Sequence, residues 1–537
     1  MADLAETTVA EAAGSTVRWK PSFNPWAIAV VVAMAAFMEV LDTSIANVAL
    51  PHMAGNLGAS NDESTWVLTS YLVSNAIVLP ISGWLAGRFG RKNFFLLCIF
   101  LFTVSSMLCG AAPTLGTLIL FRVLQGAGGG GLQPMAQAIL ADTFPPHQRG
   151  LAFAVYGITA VTAPTIGPTL GGWITDNYTW RWIFYINLPV GLLAMFLAYR
   201  MVEDPPYLQR RRGAGVRVDY IGIALLSLGI GALQVLLDKG QEDDWFGSRF
   251  IVTLAWIAAV CLVSLVVWEW RHKEPIIDVR LFKYFSFASA NTMMFMLGVV
   301  FFSSLVMMPQ FLQTLLGYTA QSAGLVLSAS GVLLLFEMPF VGQLTTKVAA
   351  KYIVAFGWML LAIAMYYSTV RMDLLMSFGA AAWLRVAQSA GLGFLFVPIS
   401  LIAYAEVPPE KGNSVSGMVN FMRNIGSSVG TSMVTTLLAR RAQFHQTVLA
   451  SHTTGFDPTL QNQVAGLSRQ LVHSGISAAD AQTHAYGLIY QGMQAQATTL
   501  AYIDTYMLLA IGAGIMFFLA FIVRKNDPGG GGEVAVG

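Results

Sequence analysis

Charge is scarce in this chain. Only 11% of its 537 residues are Asp, Glu, Lys or Arg, less than half of the roughly one quarter found in soluble domains. That scarcity excludes an ordinary globular protein. Neither sign dominates: 30 Lys and Arg stand against 28 Asp and Glu, a net charge of +2, which argues against nucleic acid as a partner. Cysteine is nearly missing. Cys98, Cys109 and Cys261 lie in apolar runs far from metal-ligand spacing, so they read as small core residues and not as disulfides or a zinc site. The seven histidines are scattered outside the apolar runs, and no metal site is expected. No secretory leader is expected. The first 24 residues carry Asp3, Glu6 and Glu11 without a basic start, so the first apolar run is expected to be an uncleaved span.

What abounds is apolar length: 55% of residues are hydrophobic. A helix needs about 20 apolar residues to cross a bilayer. Fourteen such runs are predicted, near 27–50, 65–87, 93–112, 114–140, 150–175, 182–202, 218–238, 249–270, 286–312, 320–345, 352–370, 375–404, 412–438 and 500–523. An even count puts both termini on one side. With that side taken as cytoplasmic, twenty Lys and Arg fall on cytoplasmic segments, seven outside and three within spans, Arg122, Arg385 and Arg423. The bias sets the orientation; its densest clusters are Arg88–Lys92, Arg210–Arg217 and Arg271–Lys283. Residues 1–26 and 524–537 are then expected to be a cytoplasmic N-terminal segment and a cytoplasmic tail.

The chain also repeats itself. Arg-Val-Leu-Gln at 122–125 recurs as Arg-Val-Ala-Gln at 385–388, and the same shift of 263 carries Gly130 onto Gly393 and Gly167 onto Gly430. Copies in one membrane orientation predict parallel repeats, two six-helix halves around a central path. The halves are expected at 27–203 and 286–523, with 218–270 as two inserted helices. Residues 439–498 are expected to form an external helical segment. Leu460, Val464, Leu467 and Leu471 make its apolar stripe, and Ser477 with Asp480, after Gly475, reads as a helix restart. It is either a self-packed hairpin or a platform for a periplasmic partner.

Few polar groups sit inside the spans, and they are the candidates for chemistry. Arg122 and Asp42 both lie about 12 Å from the outer face, counting 1.5 Å per residue. Opposite charges at one depth invite a pair, because either alone in hydrocarbon is costly. Glu39 lies one turn deeper than Asp42 on nearly the same face. The set reads as a proton-coupling site or as a strut locking two helices. The depth of its carboxylate favours coupling for Asp42; for Arg122 both roles stay open, and Glu39 could instead attract cations to a cavity. Gly126, Gly128 and the glycines up to Gly131 offer a flat packing face. No strand precedes them and no Lys-Ser/Thr follows, so a nucleotide loop is excluded. Pro164, Gly167, Pro168, Gly171 and Gly172 predict a kink against a partner helix. In the turn at 83–92, Gly83, Arg88, Gly90, Arg91 and Lys92 satisfy topology, and could also latch onto Asp142 as a gate. Arg385 and Gln388 are the second-half counterparts of the Arg122 motif. Glu337, near the end of its span, could simply reach water.

These motifs resemble the major facilitator superfamily. Gly-Trp-Leu-Ala-Gly-Arg-Phe-Gly-Arg-Lys at 83–92 is similar to its turn after helix two, although Gly87 stands where the family usually has an acid. Arg-Val-Leu-Gln-Gly at 122–126 is similar to the helix-four motif, whose arginine the family links to proton transfer. Gly-Pro-Thr-Leu-Gly-Gly at 167–172 resembles the antiporter motif of helix five. The stretches 41–51 and 180–191 resemble fourteen-helix drug:proton antiporters, and Arg-Arg-Ala-Gln-Phe-His at 440–445 with the segment behind it resembles EmrB-type permeases. The resemblance implies an all-α integral membrane protein of fourteen transmembrane helices. It implies a proton-coupled exporter of small lipophilic compounds in a bacterial inner membrane, working with a periplasmic adaptor and an outer-membrane channel. The proton gradient would drive it, without a cofactor. A metabolite symporter or facilitator and a non-transporting receptor or scaffold are the rivals. An enzyme is not expected, since neither His-Glu-X-X-His nor Gly-X-Ser-X-Gly occurs.

Overall fold

The computed structural model describes residues 21–205, 218–272, 275–452 and 457–523. The N-terminal segment up to residue 20, the Arg210–Arg217 cluster and the tail from 524 lie outside the described residues. Six long helices come first, with one-turn helices at Asn61–Ser64 and Trp182–Tyr185 between them: α1 (Pro25–Leu57), α2 (Trp66–Phe89), α3 (Arg91–Ala111), α4 (Leu115–Thr143), α5 (Pro146–Asn177) and α6 (Asn187–Met201). Two follow, α7 (Tyr220–Lys239) and α8 (Arg249–Arg271). The remainder are α9 (Phe285–Leu297), α10 (Ser303–Thr314), α11 (Ala320–Leu344), α12 (Ala350–Arg371), α13 (Phe378–Ser389), α14 (Leu392–Tyr404), α15 (Gly412–His452), α16 (Pro458–His473) and α17 (Ala478–Ala520).

Two predicted spans are not single α-helices. A π-helical stretch, Gly298–Phe302, joins α9 to α10. The predicted 375–404 span breaks after Ser389, where Gly391 sits so close to α12 that a Cβ would lie 2.6 Å from the Gly357 carbonyl oxygen. The buried Glu337 carboxylate of α11 accepts the Gly393 backbone N–H at 2.9 Å and so caps the first turn of α14. Glu337 is therefore drawn into the protein and does not reach out to water.

Among the described residues, twelve helices are long and apolar enough to cross a membrane by length and composition. The other two predicted spans form helices α4 and α15 but do not meet that apolarity. The reason is local. Arg122, Gln125, Gln133, Gln137 and a glycine run dilute α4, while Asn413, Asn420, Arg423 and Asn424 dilute α15. Both are wrapped by other helices, so their polar groups meet protein and not lipid.

The glycines of α4 make that wrapping possible, and they face three ways, not one. Gly126 and Gly130 press on α2, where a Cβ at Gly130 would lie 2.7 Å from the Asn75 carbonyl oxygen. Gly128 presses on α3, 2.6 Å from the Phe102 nitrogen. Gly129 leaves room for Tyr71, Asn75 and Glu39. Helix α5 stays continuous through its prolines. Pro168 has no N–H for the Pro164 carbonyl, and the Ser44 hydroxyl of α1 donates to that oxygen at 3.2 Å. Gly167 and Gly171 then bring α5 onto Ser44 and Ile45, while Gly172 meets open space.

The helices before α7 and those after α8 meet along two seams. Helix α5 runs beside α11, and α2 beside α15; α7 lies against both α2 and α15. The segment expected to be external departs from a separate hairpin. Helices α15 and α17 run on unbroken to His452 and from Ala478, with α16 packed on α17 through its apolar stripe, Val464 innermost. Ser477 caps α17 as expected, its oxygen accepting the Asp480 N–H at 3.2 Å after Gly475 at φ +97°. Where α15 and α17 leave the bundle, Asp504 accepts from Arg441 at 2.6 Å and pairs with His445 at 2.7 Å.

Candidate functional site

Glu39 and Asp42 are both buried on α1, three residues apart. Arg122, buried on α4, donates from Nη1 to Asp42 Oδ2 at 2.6 Å. The same nitrogen reaches Gln125 Oε1 at 2.9 Å, and Nε donates to the Val67 carbonyl at 3.1 Å. The guanidinium lies over the Tyr71 ring, 4.3 Å from its centroid. Asp42 Oδ1 accepts from Gln125 Nε2 at 2.9 Å and from Asn187 Nδ2 at 2.7 Å. Asn187 is held in turn by Ser106, 3.0 Å away. Five residues thus fix one ion pair, and both of its charges are out of solvent. Breaking such a pair by removing one partner costs about 3–5 kcal/mol.

Glu39 does not join that cluster. Its Oε1 accepts from the Tyr71 hydroxyl and from Asn75 Nδ2, both at 3.0 Å, and its Oε2 accepts from Gln133 Nε2 at 2.5 Å. Gln133 Oε1 accepts from Arg423 of α15 and from the Tyr156 hydroxyl at 3.2 Å. Asn420, also on α15, donates to Gln137 at 2.8 Å. The network therefore runs from α1 through α4 and α5 to α15. Glu39 touches the seam between the two helix groups; Asp42 and Arg122 lie behind it within the first.

The turn at 83–92 sits at one end of the same seam. A Cβ on Gly83 would lie 2.8 Å from the backbone of Ser414, so α2 and α15 meet there without a side chain between them. Gly90, at φ +87°, separates α2 from α3. Arg91 pairs with Asp142, and its Nε donates to Asn413 Oδ1 at 2.7 Å across the seam. Arg88 and Lys92 are not part of this contact. Arg88 lies over Trp84 and the Lys92 ammonium over Tyr199, while the Lys92 N–H donates to Asp204. For the exporter that the sequence resemblance implies, Gly83→Val is expected to cut transport at least about tenfold at normal membrane abundance, since overpacking costs about 1–3 kcal/mol. Dye efflux normalised to abundance checks this; wild-type efflux would show that the close approach is dispensable.

The sequence profile of the Major Facilitator Superfamily matches residues 32–431. The chain belongs to this superfamily. It is accordingly a multi-pass membrane transporter and not an enzyme. Among similar bacterial proteins, the multidrug export protein EmrB of Haemophilus influenzae is 38% identical over 92% of this chain and 95% of its own. The fatty acid resistance protein FarB of Neisseria gonorrhoeae is 40% identical over 82% of this chain and 86% of its own. The human organic anion transporter MFSD10 has the same fold, with a TM-score of 0.58 at 13% identity, covering 92% of this chain and 100% of that one.

Within this major facilitator fold the second group of helices repeats the first incompletely. Arg385 and Gln388 are buried on α13, and Arg385 donates to Gln388 at 3.1 Å as Arg122 does to Gln125. The partner differs: Arg385 finds the Ser304 hydroxyl at 3.2 Å where Arg122 finds a carboxylate. Several site residues carried no role from sequence: Tyr71, Asn75, Gln125, Gln133, Tyr156, Asn187, Asn420 and Arg423. Asn187 had a signal, a lone amide in the apolar stretch 182–202, and Arg423 was visible as a cation inside a span.

Proposed function

We propose that the protein exports lipophilic compounds in exchange for protons by alternating access between two six-helix halves, 27–203 and 286–523. Fourteen helices would cross a bacterial inner membrane with both termini cytoplasmic; the Lys and Arg distribution supports that orientation. Relatives named for multidrug export and fatty acid resistance support the substrate class. The observation that carries the reading is a buried carboxylate pair on α1. Asp42 is held against Arg122, while Glu39 is hydrogen-bonded into the seam. A proton on Asp42 removes its attraction to Arg122. A proton on Glu39 turns an acceptor toward Gln133 into a donor, which disturbs the contacts of Gln133 with α15 and lets the halves move.

A periplasmic adaptor would dock on the extension formed by α15, α16 and α17, leading to an outer-membrane channel. Replacing residues 446–495 with a short Gly/Ser linker tests the whole scheme. Reconstituted vesicles should keep proton-driven dye transport at near wild-type rate, while whole cells lose resistance. Loss of both would favour a scaffold. Proton uptake with inward movement of the dye, in place of proton release on dye binding, would favour a symporter.

A further inference from the structure

Arg385 is fully buried in a membrane helix, and among the described residues no carboxylate pairs with it. Its Nη1 has only neutral partners, Ser304 and the Gln388 amide oxygen. Its Nε and Nη2 have no partner at all. The shift of 263 that carries Arg122 onto Arg385 carries Asp42 onto Leu305, beside Ser304. The second half thus keeps the cation and its glutamine but lacks the acid. A guanidinium does not shed its proton in a protein, and an unpaired charge out of water is costly. The Phe301 ring, 4.9 Å from the guanidinium, offers only partial relief.

The neighbours are donors. The Ser389 hydroxyl, one turn along α13, is buried without a partner. Tyr506 of α17 lies against Arg385 and Gln388 with its hydroxyl buried. The π-helical stretch Gly298–Phe302 sits just before Ser304 and widens the helix at that point. Unsatisfied donors around a lone cation describe a site for negative charge.

We propose that Arg385, Ser389 and Tyr506 form a buried site for one monovalent anion beside Ser304, whose own hydroxyl is spent on the Phe301 carbonyl at 2.7 Å, and that this anion supplies the countercharge that Asp42 supplies to Arg122. Such a ligand is either a small inorganic ion or the head of a lipophilic carboxylate; both present one negative charge to the two free guanidinium nitrogens.

The test is thermal unfolding of the purified full-length chain in detergent at fixed ionic strength. Sodium gluconate is exchanged stepwise for sodium bromide in one arm and for sodium octanoate in the other. Wild type should show a saturable rise in Tm of roughly 2–4 °C in at least one arm. Bromide alone would assign an inorganic counter-ion, octanoate alone a carboxylate head. Arg385→Gln should lose the rise. Ser304→Asp, which supplies an internal acid, should unfold at a Tm that no longer depends on either anion, and it keeps the test valid if Arg385→Gln does not fold. A wild-type Tm indifferent to both anions would overturn the proposal. So would a rise that persists undiminished in Ser304→Asp.

Discussion

Asp42→Asn is expected to insert and fold, yet to lose proton-driven export to background. Asparagine has the shape of aspartate but presents one acceptor oxygen where the site uses two. Arg122 donates to Oδ2, while Gln125 and Asn187 both donate to Oδ1, so the new amide N–H₂ group would face either Arg122 or both amides. The larger effect is electrostatic. Arg122 would keep the Val67 carbonyl and the Gln125 oxygen but lose the countercharge of Asp42. A hundredfold loss of rate corresponds to roughly 2.7 kcal/mol, inside the cost of breaking a buried pair. Everted vesicles under an imposed pH gradient give the readout, with abundance measured alongside. If Asp42→Asn exports at the full gradient-dependent rate, coupling does not run through this carboxylate.

Glu39→Gln is expected to separate coupling from movement. The new amide N–H₂ would point at Gln133 Nε2, donor against donor. If Gln133 turns its amide over to relieve this, its oxygen leaves Arg423 and Tyr156. A change on α1 is thereby passed to α15. Gradient-driven export should fall at least about tenfold, or 1.4 kcal/mol, while exchange of labelled for unlabelled substrate continues without a gradient. Exchanging the two side chains, Glu39→Gln with Gln133→Glu, returns a carboxylate to the network next to Arg423. Partial recovery of gradient-driven export is the expected result. Double variants no better than Glu39→Gln would mean that the position of the acid, and not the network, decides coupling.

Some of this site was legible as text. Arg122 and Asp42 stand at equal depth on helices of opposite direction, and burying a charge in lipid without a partner is too costly to be casual. Their ion pair could therefore be anticipated by counting residues. Asn187 could have been found by the same argument, as an amide in a run with no other reason to hold one. Gln133 and Asn420 could not. Each lies on a helix with several polar side chains, and which of them meet depends on how α4 and α15 are rotated. Hydropathy carries no such information once a helix packs against several neighbours at once.

The same limit explains the glycine run and the extension formed by α15, α16 and α17. Small residues announce close packing, but Gly126 and Gly128 serve different helices and Gly129 leaves room for side chains of two, which no one-dimensional pattern can assign. The apolar stripe of α16 and the Ser477 cap could be read directly. That α15 and α17 continue unbroken past their apolar stretches could not, because helix continuity in polar sequence rests on packing between the two helices.

Composition by itself made this a helical membrane protein, because an apolar chain must satisfy its backbone hydrogen bonds internally within lipid. Spacing by itself produced the repeat and the depth of the charges. Only the tertiary structure decided that Asp42 faces Arg122 inside one helix group while Glu39 faces the seam between two. Only it left Arg385 without an acid among the described residues. The reason is that a helix turns 100° per residue, so the partner of a buried polar group is chosen by rotation and crossing angle, quantities that arise from packing many helices at once.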